Sequence, residues 1–382
     1  IPAKLTLALP AGISFYTFTV VGYAVDVYHK KLEPEKDFVT YALFVSFFPS
    51  VLMGPIARAG EMLPQYKAEH KFEYGNLVEG LQRFLTGAFK KVVIADGLGV
   101  IVDAVYGSLA DYRGPMLLTA VVFYAVQLYA DFSGYTDMAL GAAKVLGFTL
   151  RENFKAPYLA ATLGGFWSRW HSSLTDWLRD YIYIPLGGSR RGFARKLCNI
   201  LIVFLISGLW HGAGWTFVVW GLWLGVWRVV EELARRAFNV GKAGYARRGA
   251  RALSHVFTLA VVSVGWIFFR SASLAGAGYV LKNIFCFGGA AGYLPQLLSI
   301  AENGVADSGV YYLFYFGSLA FGLWLLFNFD RKTARGEANP LASYKSGARW
   351  ALYHVLSLLT ILFYFLTATG AAGPQSFLYN GF

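Results

Sequence analysis

The sequence predicts an all-α polytopic membrane protein. Of its 382 residues, 56% are hydrophobic and only 15% are charged, whereas soluble domains carry about 25% charged residues. Aromatic residues make up 18% of the chain, and tyrosine and tryptophan gather at membrane interfaces because each joins an apolar ring to a polar tip. Residues 197–227 form a long apolar run without a charged side chain, which is typical of a membrane-embedded segment. We expect residues 1–382 to form a single membrane domain.

Seven segments are candidates to cross a hydrocarbon core of about 30 Å. Residues 5–25 are free of charge but carry a proline, 38–57 carry two prolines near their end, and 114–130 are at the short limit. The others are 197–227, 252–269, 308–329 and 350–369. The run 197–227 would extend about 46 Å as one helix, which exceeds the core. Because Gly208, Gly212 and Gly214 cluster in its middle, it predicts two helices, or one sharply bent helix, with His211 at the break.

Two other regions do not fit a simple span. Residues 61–91 mix charge with apolar side chains at helical spacing, which predicts an amphipathic segment along the surface. The apolar positions that carry this pattern are Leu77, Leu81, Phe84 and Leu85. Residues 131–180 are rich in glycine, tryptophan and charge, and we interpret them as short helices, some re-entrant, packed inside the protein.

The placement of charge predicts the orientation of the chain. Basic residues are concentrated at 189–196, 235–251 and 331–349, whereas 271–307 holds few charges. The positive-inside rule puts the three basic segments in the cytoplasm and the sparse one outside, together with residues 370–382. The chain begins at Ile1 without a signal peptide, so we expect a fragment or processed chain that lacks N-terminal transmembrane helices.

The net charge of +12 does not predict nucleic-acid binding. The basic residues lie between apolar runs, as in cytoplasmic loops, and no DNA- or RNA-binding motif accompanies them. The two cysteines, Cys198 and Cys286, form no C-x-x-C metal pattern and imply no disulfide framework.

His211 is the first candidate for chemistry, within GLWHGAGW at 208–215. Glycines on both sides let a ligand or the backbone approach closely. A neutral imidazole accepts a proton from a hydroxyl near neutral pH. The alternative is a histidine that joins helices through a hydrogen bond.

His171 is the second candidate, within FWSRWHSSLTDW at 166–177. A histidine among tryptophan and arginine fits binding of a polar group or orientation of a second histidine; the alternative is an interfacial anchor belt. His171 and Asp176 also form H-x-x-x-x-D, the acid/base pattern of glycerolipid acyltransferases. Two residues at this spacing recur often by chance, so the pattern is weak support.

Two aspartates and three serines are weaker candidates. Asp131 and Asp137 offer too few oxygen ligands for a metal ion, and pairing with nearby arginines is the favoured interpretation. A serine-hydrolase function is not supported because no G-x-S-x-G elbow surrounds any of the three serines. These serines are Ser133, Ser172 and Ser173.

Several segments together carry a family resemblance. They are GISFYTF at 12–18, YAVDVY at 23–28, YADFSGYTDMALGAAKVLGF at 129–148, NFKAPY at 153–158, FWSRWHSSLTDWLRDYIYIPLGG at 166–188, SGLWHGAGWTFVVWG at 207–221 and FLYNGF at 377–382. The chain resembles the membrane-bound O-acyltransferase family, and within it the bacterial alginate O-acetylase branch. The resemblance implies a bundle of tilted, broken and re-entrant helices around a central tunnel that both sides of the membrane can reach.

The resemblance also implies an activity and its site. It makes His211 the catalytic histidine and His171 a second histidine that supports it. It implies cytoplasmic acetyl-CoA as donor, no permanently bound cofactor or metal, and an acetyl ester on an exported polysaccharide as product. Extracytoplasmic polysaccharide-acetylation proteins are the implied partners, and the bacterial inner membrane, with its lipids, is the implied location. The family varies at the position of Asp176, which argues against the H-x-x-x-x-D pattern.

On this basis we expect His211 to act as general base on an acceptor hydroxyl, which attacks the acetyl thioester. A transient acetyl-histidine is the alternative. His171, with Arg169 or Asp180, would position the donor or stabilise the developing charge. 

Four further residues are candidates for contacts with the donor or substrate. Trp170 and Trp210 stand next to the two histidines in the sequence. Arg190 and Arg191 are cations that fit the phosphates of coenzyme A or, as the alternative, lipid headgroups.

The sequence leaves two other functions open. D-alanyl or other acyl transfer to teichoic acid, peptidoglycan or cellulose is a close alternative, although GISFYTF and IPLGG fit the polysaccharide acetylases better. A transporter in which His211 relays protons is the second, but the sequence shows no paired inverted halves.

Overall fold

The structure is a computed structural model, and it describes residues 12–238, 248–304, 309–337 and 339–369. Within these ranges the secondary structure is helical, with no β-strand, which confirms the predicted all-α class. Five of the described helices are long and apolar enough to cross a membrane, namely Pro115–Val145, Phe193–His211, Gly249–Arg270, Tyr312–Ala334 and Ser346–Leu366. The segments 1–11 and 370–382, which include the FLYNGF motif, lie outside the described residues.

The first helices are short, and the predicted span 38–57 does not form a single helix. They are α1 (Ile13–Tyr28), α2 (Phe38–Ser46), α3 (Phe48–Val51) and α4 (Ala59–Lys67). The chain leaves the helix at Phe47, where ψ is 106°, and Pro49 lies in the first turn of α3. Residues 53–57 are buried within the protein. Phe38, Val39 and Phe48 are exposed, so the segment does not pack in the interior along its whole length. Because the segment is divided into two short helices and a buried stretch, the prediction of one continuous span was wrong.

The next helices contain the longest one in the described chain. After α5 (Tyr74–Phe89) come a π-helix (Lys90–Ala95), α6 (Asp96–Gly107) and α7 (Pro115–Val145). The weak candidate 114–130 is therefore the first half of a 31-residue helix. The prediction that short helices begin at residue 131 was wrong, because α7 continues past that point with its buried carboxylates paired to cations.

Helices α5 and α7 are in contact backbone to backbone. A Cβ atom built on Gly80 would lie 2.6 Å from the Gly141 carbonyl oxygen, and one on Gly87 would lie 2.4 Å from the Gly134 carbonyl oxygen. Small residues at this spacing allow membrane-embedded helices to approach closely. Helix α5 is therefore packed along the core, whereas Leu81 remains 54% exposed. The predicted surface location of 61–91 therefore holds for residues 67–75, which are exposed, and for the outer face of α5.

The second half of the chain forms the rest of the bundle. It comprises α8 (Leu163–Trp167), α9 (Ser172–Leu178), a π-helix (Arg179–Tyr183), α10 (Phe193–His211), α11 (Trp215–Ala237), α12 (Arg248–Arg270), α13 (Leu274–Asn283), α14 (Tyr293–Gly304), α15 (Gly309–Ala334) and α16 (Ser346–Thr369). The predicted division of 197–227 is confirmed, since α10 ends at His211 and α11 begins at Trp215. Short helices between 157 and 183 agree with the interpretation of that region.

Candidate active site

His171 and His211 line the same cavity, which has a volume of about 250 Å³. The cavity lies among α8, α9, α10, α11 and α12. Its apolar walls include the aromatic side chains of Trp167, Trp170, Phe204, Trp220 and Trp266. Its polar lining includes Ser168, Thr175, Arg179, Tyr183, Ser207 and Arg228. An apolar cavity with a few convergent polar groups is the usual form of a small-molecule site.

His211 is held at the break between α10 and α11. Its side chain is buried, and its ring centroid lies 5.0 Å from that of Trp220 and 5.1 Å from that of Phe269. The two helices approach closely here, since a Cβ atom on Gly208 would lie 2.4 Å from the Phe217 carbonyl oxygen. Gly208, three residues before His211, therefore allows α10 and α11 to pack closely, and the imidazole of His211 packs among aromatic rings.

His171 is the residue before α9 and has a left-handed backbone, with φ 45° and ψ 52°. Non-glycine residues in this conformation are strained, and such strain is concentrated at functional sites. The side chain is 2% exposed, and its Nδ1 lies 3.0 Å from Oδ1 of Asn153. Its Nε2 has no hydrogen-bond partner among the described residues. Burial is the main cause that lowers the pKa of His171 well below its usual value, and His211 adds to it.

Trp210 bridges the two histidines. Its ring centroid lies 6.4 Å from that of His171 and 4.7 Å from that of His211. Phe15 of α1 packs against both His171 and Trp210, with ring centroids 6.2 and 5.8 Å apart. The two imidazoles thus belong to one continuous aromatic cluster.

The other predicted site residues are divided between the cavity and the surface. Trp170 lines the cavity, whereas Arg169 and Asp180 do not. Asp180 accepts hydrogen bonds from Arg58 at 3.0 Å and from Arg179 at 2.8 Å. Arg190 and Arg191 are exposed and lie outside the cavity lining.

Sequence reasoning did not single out three residues that shape this site. Arg179 and Arg228 are the arginines that line the cavity, and Asn153 bonds to His171. Arg228 directly follows the apolar run 197–227, so the sequence did indicate a charged side chain at the end of a membrane-embedded helix. Asn153 lies in the NFKAPY motif, but its sequence gives no sign that it contacts a histidine 18 residues away.

Asp176 forms ion pairs away from His171. Its carboxylate lies 2.6 Å from Nη1 of Arg179 and 3.5 Å from Nη1 of Arg151. No hydrogen bond joins its side chain to His171 in the part of the chain that the structure describes. The geometry gives no support to an acid/base pair of the H-x-x-x-x-D type.

A second cavity, of about 530 Å³, lies among α5, α7 and α15 and shares no lining residue with the first. Its lining is rich in ion pairs, such as Arg83 with Glu152 and Lys90 with Asp137. No histidine lines it. Both candidate histidines line the smaller cavity instead. Among residues 12–238, 248–304, 309–337 and 339–369, no three histidine, cysteine or acidic side chains are grouped as a metal site.

Comparison with known proteins places both histidines in a matched region. The sequence profile of the MBOAT, membrane-bound O-acyltransferase family, matches residues 31–270. The chain is 40% identical over 282 residues to the probable alginate O-acetylase AlgI of Azotobacter vinelandii, which covers 74% of this chain and 55% of that protein. It is 34% identical over 349 residues to the peptidoglycan O-acetyltransferase of Helicobacter pylori, which covers 84% of this chain and 66% of that protein.

A more distant similarity is to the teichoic acid D-alanyltransferase of Bacillus subtilis, at 27% identity over 221 residues, or 56% of each protein. The chain spans about half the length of the alginate O-acetylases that it matches, for example 55% of the Azotobacter protein. The names of these relatives describe transfer of an acetyl or D-alanyl group to alginate, peptidoglycan or teichoic acid.

Proposed function

Because the chain belongs to the membrane-bound O-acyltransferase family, we propose that it transfers an acetyl group from cytoplasmic acetyl-CoA to hydroxyls of an exported, alginate-like polysaccharide. The observation that carries this proposal is that His171 and His211 line one cavity inside the region that matches the family. The O-acetylase relatives support acetyl as the acyl group.

The reaction proceeds by attack of an acceptor hydroxyl on the thioester carbonyl. His211 removes the hydroxyl proton as the oxygen–carbon bond forms. The tetrahedral intermediate then expels the coenzyme A sulfur as the carbon–sulfur bond breaks, and the proton passes from the imidazole to the thiolate. The products are an acetyl ester and free coenzyme A, and the histidine returns to its neutral state.

The size of the cavity suits the reactive end of the donor. Its volume of about 250 Å³ lies just below the range of about 300–1,000 Å³ that is typical of ligand pockets. We assign it to the acetyl thioester and its pantetheine arm, with the diphosphate at the end of the cavity and the adenosine outside. Arg179 and Arg228 line the cavity and are the cations that we assign to the phosphates of coenzyme A.

The membrane arrangement follows from the basic segments. The chain is a multi-pass membrane protein, and we infer that it lies in the bacterial inner membrane with its basic loops in the cytoplasm. The acceptor then meets the acetyl group from the other side, with help from extracytoplasmic partner proteins. Peptidoglycan is the second candidate acceptor, because the Helicobacter relative aligns with 84% of this chain.

The test is an acceptor-dependent reaction in permeabilised cells of the native bacterium, which retain the partner proteins, with cells that lack this protein as the control. Labelled acetyl-CoA is supplied with deacetylated oligomannuronate in one arm and with purified glycan strands of peptidoglycan in another. We expect release of free coenzyme A and labelled oligosaccharide in the first arm. Transfer to the glycan strands alone would move the acceptor to peptidoglycan, and a lack of transfer in both arms, with intact protein, would contradict acetyl transfer to polysaccharides.

A further inference from the structure

Asn153 holds the start of α9 from a neighbouring loop. Its backbone oxygen accepts a hydrogen bond from the Ser172 N–H at 3.0 Å. Its side-chain Oδ1 accepts one from the Ser173 N–H at 3.2 Å. The first amides of a helix have no partners within the helix, so Asn153 supplies the acceptors that the residue before α9, His171, does not. Asn153 is 0% exposed, which makes this a rigid contact.

These bonds determine which way the Asn153 amide points. A backbone N–H can only donate, so the atom that faces Ser173 must be the amide oxygen. Ser173 Oγ accepts a hydrogen bond from the Ile56 N–H at 3.0 Å and donates its own proton to Oδ1 of Asn153 at 2.9 Å. With the amide reversed, its NH₂ group would face the backbone N–H, and two donors would oppose each other.

The orientation of the amide in turn determines the tautomer of His171. Nδ1 of His171 lies 3.0 Å from the same Oδ1, which is an acceptor, so Nδ1 carries the proton. In the neutral ring, Nε2 is then the nitrogen with a lone pair. Nε2 is also the ring nitrogen that has no partner within the described residues, and His171 lines the cavity.

We propose that Asn153 is a positioning residue that fixes His171 as the Nδ1–H tautomer, so that Nε2 is a hydrogen-bond acceptor for a substrate group in the cavity. This inference deepens the proposed function and rests on it for the identity of the substrate. In this tautomer a neutral His171 has no proton on Nε2 to donate to a developing oxyanion. Its role is to orient a donor group, such as a hydroxyl of the acceptor sugar, beside His211.

The surroundings of His171 contain few groups that would change this state. The rings of Phe15, Phe132 and Trp210 enclose it. The titratable groups that share its cavity are His211, Arg179, Tyr183 and Arg228. The two arginines are themselves paired with carboxylates, Arg179 with Asp176 and Arg228 with Glu232. Burial and His211 are the causes that oppose a second proton on His171 by lowering its pKa.

Histidine NMR tests the tautomer directly and without any acyl donor. The full protein, with ¹⁵N-labelled histidine, is measured in nanodiscs, and the chain has only 6 histidines. The His171 signal is identified by its absence in His171→Gln. We expect a protonated Nδ1 and an unprotonated Nε2. The opposite tautomer in the unmodified protein would overturn the proposal, whatever the variants do.

Two variants separate positioning from simple structural support. Asn153→Asp keeps an acceptor and adds a negative charge, so the pH at which His171 gains its second proton should rise by about 1–3 units. The pH below which activity is lost should rise by the same amount, since His171 must be neutral to accept a hydrogen bond at Nε2. Ser173→Ala removes a neighbour of Asn153 but leaves the His171 bond, so the tautomer and its titration should not change.

Other outcomes also decide the question. An unchanged His171 titration in Asn153→Asp would contradict the positioning role, even if activity fell. If that variant does not accumulate, the tautomer of the unmodified protein still decides. Failure of the proposed function is distinguishable, because it would appear as absent acetyl transfer while the NMR result stands.

Discussion

Lys91 and Asp131 form a buried ion pair between the π-helix and α7, with Nζ and Oδ1 2.9 Å apart. Nζ of Lys91 also lies 2.7 Å from Oδ1 of Asp96. The next residue toward the N-terminus, Lys90, pairs with Asp137 at 2.7 Å. The π-helix, a form that often occurs at functional sites, places two consecutive lysines against α7. This compensation of charge lets α7 carry two aspartates through the core.

We expect Lys91→Met to destabilise the protein strongly. It leaves Asp131, which is 0% exposed, without this cation, and removal of one partner of a buried pair costs about 3–5 kcal/mol. The matched control is Lys144→Met, whose pair with Glu79 is 3.5 Å long and largely exposed, and such pairs contribute about 0–1 kcal/mol. Thermal unfolding in detergent measures both. Equal losses in the two variants would refute the structural importance of the buried pair.

The contact between α5 and α7 predicts that Gly80 cannot take a side chain. The added Cβ of Gly80→Ala would meet the Gly141 carbonyl oxygen at 2.6 Å, and the helices would have to separate, at a cost of about 1–3 kcal/mol. Gly75→Ala, in the same helix, meets nothing within 4 Å and should leave the midpoint of unfolding unchanged or higher. A Gly80→Ala protein as stable as Gly75→Ala would show that the two backbones are not in contact.

Asp176→Asn distinguishes the two arrangements of catalytic residues. Since Asp176 pairs with Arg179 and Arg151, we expect activity within about twofold of the unmodified protein, as for surface ion pairs. The glycerolipid acyltransferase pattern instead requires this carboxylate. Acetyl transfer from labelled acetyl-CoA is the measurement, and loss of activity in a folded Asp176→Asn protein would favour that pattern.

The cavity lining predicts a role for Arg228 in donor binding. Arg228→Gln should raise the KM for acetyl-CoA by about ten- to a hundredfold, because a hydrogen bond to a charged group contributes about 1.5–3 kcal/mol. Arg235→Gln is the matched control, since both arginines are on α11 and both contact Glu232, Arg228 at 3.2 Å and Arg235 at 3.8 Å. A larger rise in KM for Arg235→Gln than for Arg228→Gln would move the phosphate contact out of the cavity.

The sequence predicts well those features that depend on local pattern. The break at His211 follows from an apolar run that is too long for one span, and the structure divides it there. The interpretation of Asp131 and Asp137 as paired charges is confirmed, although lysines are the main partners. Local composition is sufficient for these features because helix length and the cost of buried charge are properties of one segment.

Features that depend on distant partners were not predicted. Residues 38–57 are as apolar as a span, but the chain leaves the helix at Phe47 and residues 53–57 are buried in the protein. Composition alone does not distinguish a buried stretch of this kind from one that faces lipid. The second half of α7 is too polar to be predicted as part of a long buried helix from its own residues. The lysines that pair with its aspartates, Lys91 and Lys90, lie about 40 residues earlier in the chain. Likewise, Asp180 is bonded to Arg58, 122 residues away, so its separation from the cavity had no local signal.

The central claim is that His171 and His211 act as one unit in acetyl transfer. The most direct test is a cycle of His171→Gln, His211→Gln and the double variant, with His354→Gln, an exposed histidine of α16, as control. We expect each of the two single variants, His171→Gln and His211→Gln, to lose about 10²–10⁴-fold in kcat. The double variant should lose no more than whichever single variant is less active, since the effects of residues that act together are not additive. Full activity in folded His211→Gln protein would contradict the account.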